Sequence, residues 1–294
     1  MRSGFVAIVG KPNVGKSSLL NALVGAKVSI VTDKPQTTRN RISAIANLDG
    51  AQIVFLDTPG IHKPLHTLGE RLVNAARGAL DDVDLILMVV DASSPARPED
   101  ETVASYVSKA AAPAWLIINK IDLVSAERAS EVERLSRDLA GFQRVKAVSA
   151  ATGRNLPGFV EEIATVLPEG PMYYPPGVQV DRPEEFIVAE FIREKLIDLT
   201  REEIPHSIAV VVDEMTRRED RDIVDIRAVI LVERESQKGI VIGAGGSVLR
   251  QTGTLARMEI QRLLGSQVNL QLWVKVRKRW RDDESFLDRL GYSE

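Results

Sequence analysis

The sequence predicts an α/β domain built on a mostly parallel sheet, followed by a smaller α+β domain. Three observations predict it. Short apolar runs alternate with helical stretches through the first part of the chain, the pattern of strands joined by crossover helices. A turn rich in glycine or polar residues follows each run, where an open α/β sheet gathers its functional groups. A proline- and glycine-rich stretch at 167–177 has no period and reads as a connection, after which the order of elements changes. The expected division is 1–168, a linker at 169–180, and 181–294. A length of 294 residues agrees with about two domains.

The first apolar run, Phe5 to Val9, leads into Gly10-Lys11-Pro12-Asn13-Val14-Gly15-Lys16-Ser17. A helical segment from Lys16 to Val24 leads out, and Gly25 is placed to end it. The loop fits G-x-x-x-x-G-K-[ST], and the strand–loop–helix context is what that pattern requires. Gly10 and Gly15 let successive N–H groups turn inward, and the helix N-terminus adds positive potential, so the loop holds phosphate oxygens. Lys16 is placed to reach the β- and γ-phosphates, and the Ser17 hydroxyl to bind Mg²⁺. Val14 and Ser18 complete the nucleotide-contacting set of this loop.

The run 51–56 ends at Asp57-Thr58-Pro59-Gly60. Asp57 is expected to hold Mg²⁺ through water, and the Gly60 N–H to sense the γ-phosphate and switch the loop that follows. The segment 33–41 offers Thr37 and Thr38 as hydroxyls for the same ion. Thr38 is favoured, and the adjacent Thr37 stays open. Lys16, Thr38, Asp57 and Gly60 form the expected catalytic set.

The run 114–118 ends at Asn119-Lys120-Ile121-Asp122. Guanine presents two adjacent donors that one carboxylate can accept together, and adenine has no such pair. Asp122 therefore selects guanine, so the expected nucleotides are GTP and GDP. Asn119 can serve N7 and the neighbouring loops, and the Lys120 stem can cover the base plane. Ser149-Ala150-Ala151, after the run 145–148, is placed to bring a backbone N–H to O6.

Beyond the linker come a helix at 186–200, strands at 208–212 and 223–232, and a short helix near 237–241. Gly243-Ala244-Gly245-Gly246, a second helix to about Leu264, and a strand at 268–277 with strict apolar/polar alternation complete the order. That order, with a G-x-x-G between two helices, looks like a type II KH domain, whose loop clamps the backbone of about four single-stranded nucleotides. Residues 181–294 carry 19 Lys+Arg against 22 Asp+Glu, so the basic balance usual for nucleic-acid binding is missing. The positive charge is local instead. Lys275, Arg277 and Lys278 lie near Trp273 and Trp280, where they can track phosphates while an aromatic stacks a base. Packing of the final strand is the other reading for Trp273, and both stay open.

The nucleotide elements together resemble the translation-factor-related GTPases. The P-N-x-G-K-S loop, with Gln36-Thr37-Thr38-Arg39 and Asp57-Thr58-Pro59-Gly60, is most similar to the Era family within them. Further blocks follow in order at 192–196, 204–207, 231–234, 272–276 and 290–292, so the resemblance spans nearly the whole chain. It implies a GTP-hydrolysing switch that binds the 3′ end of small-subunit (16S) ribosomal RNA and assists 30S subunit assembly. One departure matters: the middle of the G-x-x-G is Ala244-Gly245, where the family usually carries a lysine or other polar residue. The Asn13 carbonyl can coordinate a monovalent cation, and the resemblance supports potassium there, held partly by Asn13 and partly by backbone carbonyls near Lys34 to Thr38. Many related switches orient the attacking water with a glutamine directly after the glycine, whereas this chain has Ile61, which neither donates nor accepts. His62, next in line, is expected to face solvent.

No cysteine is present, which excludes disulfides, thiolate metal sites and a cysteine nucleophile. That also argues against a tRNA-modifying GTPase, which needs a catalytic cysteine or partner-enzyme segments. Intact Lys16, Ser17 and Asp57 argue against a scaffold that binds nucleotide without hydrolysis. A cytoplasmic monomer without DNA is expected. No run approaches the length of a membrane span, and peripheral attachment at the inner face of the cell membrane stays open.

Overall fold

The computed structural model describes residues 1–34, 37–39, 42–60, 67–94, 98–201 and 204–291. The chain forms two compact units, one of Met1–Val31 with Thr38–Asp181, the other of Thr32–Thr37 with Arg182–Gly291.

The first unit runs β1 (Arg2–Val9), α1 (Lys16–Val24), β2 (Ile42–Leu48), β3 (Ala51–Asp57), α2 (Thr67–Gly78), β4 (Leu85–Asp91), α3 (Pro98–Val107), β5 (Ala114–Asn119), α4 (Ala126–Arg137), β6 (Phe142–Ala147) and α5 (Phe159–Val166). Its six strands lie in the order β2-β3-β1-β4-β5-β6. All neighbours are parallel except β2, which runs antiparallel to β3 at one edge. Apolar runs rather than alternating ones form β1, β3, β4 and β5 because both faces are covered. Val6, Ile8, Phe55, Leu87 and Ile117 pack on one face with Leu19 and Leu20 of α1 and Phe159 and Ile163 of α5. Ala7, Val9, Met88, Leu116 and Ile118 pack on the other with Ala76 of α2, Val103 of α3 and Val132 of α4. α1 stops where foreseen: Gly25 adopts φ 75°, and its N–H bonds the Asn21 carbonyl.

The stretch 169–181 is laid onto this unit. Ile45 N–H donates to the Gln179 carbonyl at 2.9 Å and Asp181 N–H to the Ser43 carbonyl at 3.1 Å. The buried Gln52 amide accepts from Tyr173 and Tyr174 N–H and donates to the Tyr174 carbonyl. The prolines explain why no period is legible there, since they supply no N–H for regular structure.

The second unit runs α6 (Glu184–Leu199), α7 (Ile204–Ser207), β7 (Ala209–Arg217), β8 (Ile223–Val232), α8 (Glu235–Ile242), α9 (Ser247–Leu264), β9 (Gln267–Val276) and α10 (Glu284–Arg289). β8 is central, antiparallel to β7 and parallel to β9. α6 packs against α9 and β7. β7 reaches Arg217, beyond the expected end at 212, through a register shift between Val212 and Glu214 that breaks the alternation. Among the described residues, no helix is long and apolar enough to cross a membrane.

Candidate functional site

The loop from Gly10 to Ser17 joins β1 to α1 at the carboxyl ends of the parallel strands. Its glycines are required by space, and Gly15 by dihedral angle as well. A Cβ on Gly10 would meet the Val89 carbonyl at 2.5 Å, and one on Gly15, at φ 93°, would meet Asn119 Nδ2 at 2.3 Å. Lys16 is buried, and its ammonium donates to the Gly10 and Lys11 carbonyls at 3.1 and 2.9 Å. Burial pulls its pKa down from 10.5 to about 8, against the opposing pull of Asp57.

Three hydroxyls gather around Asp57. Ser17 Oγ and Ser29 Oγ each donate to its Oδ2 at 2.8 Å, and Ser17 Oγ lies 2.9 Å from Thr38 Oγ1. Thr37 is turned elsewhere, toward Thr32 Oγ1 and the Lys34 carbonyl. The structure thus brings Thr38, not Thr37, to Ser17. Asp57 Oδ1 is buried with no protein partner among the described residues. Burial raises the Asp57 pKa, opposed by Ser29, Lys16 and Ser17. A buried acceptor left over beside hard hydroxyl oxygens suits Mg²⁺, which takes oxygen ligands and few protein carboxylates. Thr58, next in the chain, fixes this corner by donating to the Ile8 carbonyl at 2.8 Å. Gly60 sits against the phosphate loop, where a Cβ would meet Pro12 atoms at 2.8 Å. Ile61 and His62 lie outside the described residues.

Asn119 braces the site. Its Nδ2 donates to the Val14 carbonyl and its Oδ1 accepts from Ala150 N–H, both at 3.0 Å. The Ala150 N–H is therefore spent on Asn119, which leaves Ala151 as the nearer candidate for guanine O6. Ser149 is buried, and its Oγ accepts from Thr152 N–H. Lys120, at φ 66°, donates to the Asn13 carbonyl at 2.6 Å. Asp122 is exposed on the 3₁₀ turn that follows. Two partners of this frame carry no motif in the sequence. Asp91, at the end of β4, pairs with Lys120 Nζ at 2.8 Å, and Ser29 is placed by Asn21 Oδ1, which accepts from Val28 and Ser29 N–H.

In the second unit Gly243, Gly245 and Gly246 all adopt positive φ, at 75°, 57° and 77°. A Cβ on Gly243 would strike Val248 within 2.6 Å, whereas nothing lies within 4 Å of one on Gly245. Ala244 and Gly245 are exposed, and Arg250 Nη2 donates to the Gly245 carbonyl at 3.0 Å. Lys275 and Lys278 are exposed. Arg277 is already engaged, paired with Asp283 at 2.6 Å and stacked on Phe286. The two tryptophans separate. Trp280 is fully buried and donates to the Ser207 carbonyl at 3.0 Å, while Trp273 is 44% exposed.

Comparison with known proteins agrees with this geometry. The family model described as "50S ribosome-binding GTPase" matches residues 5–120, and a KH domain model matches 203–281. GTPase Era of Carboxydothermus hydrogenoformans is 48% identical over 293 residues, covering 100% of this chain and 98% of that protein. GTPase Era of Alkaliphilus metalliredigens is 47% identical, covering 99% of each. A point variant of Aquifex aeolicus Era bound to GDP and AlF4⁻ superposes with a TM-score of 0.93 at 39% identity, covering 100% of both chains. So does Era in complex with MgGDPNP and nucleotides 1506–1542 of 16S ribosomal RNA, with the same score, identity and coverage.

Proposed function

This chain belongs to the Era family of GTPases, and we propose that its GTP cycle switches a KH unit holding the 3′ end of 16S ribosomal RNA during 30S subunit assembly. The observation that carries this reading is the union, in one chain matched end to end by its relatives, of a phosphate-loop frame and a KH fold with an exposed glycine loop. The description of the GTPase model names the large subunit, but that model matches only 5–120 and leaves out the KH unit.

The chemistry follows from the frame. The loop amides and the α1 N-terminus hold the phosphates. Lys16, charged below about pH 8, would bring its ammonium to the phosphates, where negative charge develops during transfer. Ser17, Thr38 and Asp57 are the residues that would hold Mg²⁺, which would supply positive charge to offset that of the phosphates. Gly60, pressed against Pro12, is the residue whose N–H would sense the γ-phosphate. Asn13, exposed and at φ 63°, would be a ligand of a potassium ion that supplies charge in the role of an arginine finger. Turnover in matched K⁺ and Na⁺ buffers checks this. Potassium stimulation that survives Asn13→Ala rules Asn13 out as the ligand.

The RNA reading is tested by crosslinking the full chain in cells and sequencing the bound RNA. Reads should pile up at the 3′ end of the small-subunit RNA. Reads dominated by large-subunit RNA or tRNA would overturn the assignment.

A further inference from the structure

Three acidic residues, Glu99, Asp100 and Glu101, open α3. The two glutamates face solvent, as residues that complement a helix N-terminus ordinarily do. Asp100 does not. It is turned onto the core face of the helix, in line with Val103, Ala104 and Val107, and its side chain is 2% exposed. A carboxylate in that position is costly unless a cation meets it. The cation is Lys11, whose Nζ lies 2.6 Å from Asp100 Oδ2 and whose own side chain is 11% exposed.

Lys11 is the residue directly after Gly10 in the phosphate loop. Its side chain is gripped by α3, and its carbonyl accepts from the Lys16 ammonium at 2.9 Å. The next residue, Pro12, is the surface on which Gly60 rests. One buried ion pair therefore fixes the stretch of loop from which Lys16 is steered and against which the switch glycine is seated. We propose that Asp100 is a positioning residue for the nucleotide site: acting through Lys11, it holds the phosphate loop in register and so sets how long nucleotide stays bound. This inference depends on the nucleotide site alone and is independent of the RNA reading.

The test is the dissociation rate of a fluorescent GDP from the full chain, measured beside its melting temperature. Asp100→Asn should speed release about tenfold or more, the scale expected when a positioned group shifts by a fraction of an ångström. Val103→Ala removes buried volume from the same helix and should lower the melting temperature while leaving release unchanged. If Asp100→Asn does not fold, the apolar replacement Lys11→Met with Asp100→Leu serves, since such swaps are often tolerated in buried sites. It too should release GDP faster. Parental release from either pair variant, or equal acceleration in Val103→Ala, overturns the proposal.

Discussion

At the scale of single residues, Lys16 makes a prediction with a sign. Burial holds its pKa near 8, below the 10.5 of an unfolded lysine. Between those values the unfolded chain binds more protons than the folded one, so the free protein gains stability as pH rises through that window. Below about pH 8 the cost of the buried charge is present in full. Nucleotide reverses the preference, because phosphate charge favours the protonated ammonium. GDP binding should therefore take up a proton above about pH 8, and affinity should fall by up to roughly tenfold per pH unit there. Calorimetry from pH 7 to 9.5 in buffers of different ionisation heat checks both statements. Lys16→Arg, charged throughout, should lose this dependence, and the parent–variant difference separates it from titration of the base. Lys16, Asp57 and Asp122 were legible as candidates because a loop and two tetrapeptides announce them. Ser29, Asp91 and Asp100 were not. Their partners are Asp57, Lys120 and Lys11, and no periodicity ties position 11 to position 100. Only the packing of α3 beside β4 brings that pair together.

At the scale of elements, the glycine loop between α8 and α9 separates space from charge. Gly243 lacks room for a methyl group and has positive φ, so Gly243→Ala should cost about 1–3 kcal/mol and distort the loop. RNA affinity should fall while GTP hydrolysis stays near the parental rate. Ala244 is exposed, so Ala244→Lys adds a cation without a clash. It should tighten RNA binding and steepen the salt dependence by roughly 0.7 in log–log slope for one added phosphate contact. Fluorescence anisotropy across a salt series measures both variants, and unchanged affinity in both would place the RNA elsewhere. The elements themselves were largely readable. The alternation of β9 and the helix–loop–helix around Gly243 stand as the sequence suggests. Bounds shifted where tertiary groups intervene. α8 starts at Glu235 rather than near 237, because the Gln237 side chain turns back to accept from Glu233 and Arg234 N–H. The fate of the tryptophans was unreadable, since burial of Trp280 depends on Ser207, far off in sequence.

At the scale of the whole molecule, the question is where the first unit ends. Composition places the change of character at 168, yet the chain stays with the first unit through Asp181. The stretch 169–181 does two things there. It satisfies Gln52, whose amide is fully buried and meets Tyr173 and Tyr174 through three bonds. It also pairs with β2 at Ala44–Val180, covering the outer edge of the sheet. An uncovered edge strand is a template for association with other chains. Fragments 1–168 and 1–181 should therefore differ although both lack the second unit alike. Each lost hydrogen bond costs about 0.5–1.5 kcal/mol. About 1 kcal/mol moves the melting point of a domain of this size by roughly 2–4 °C. The shorter fragment should melt on the order of 5–10 °C lower and associate with rising concentration, while 1–181 stays monodisperse and binds GDP. Calorimetry with light scattering at several concentrations distinguishes the two. Matching melting points would mean that 169–181 only rests on the sheet and contributes nothing to the stability of the nucleotide-binding unit.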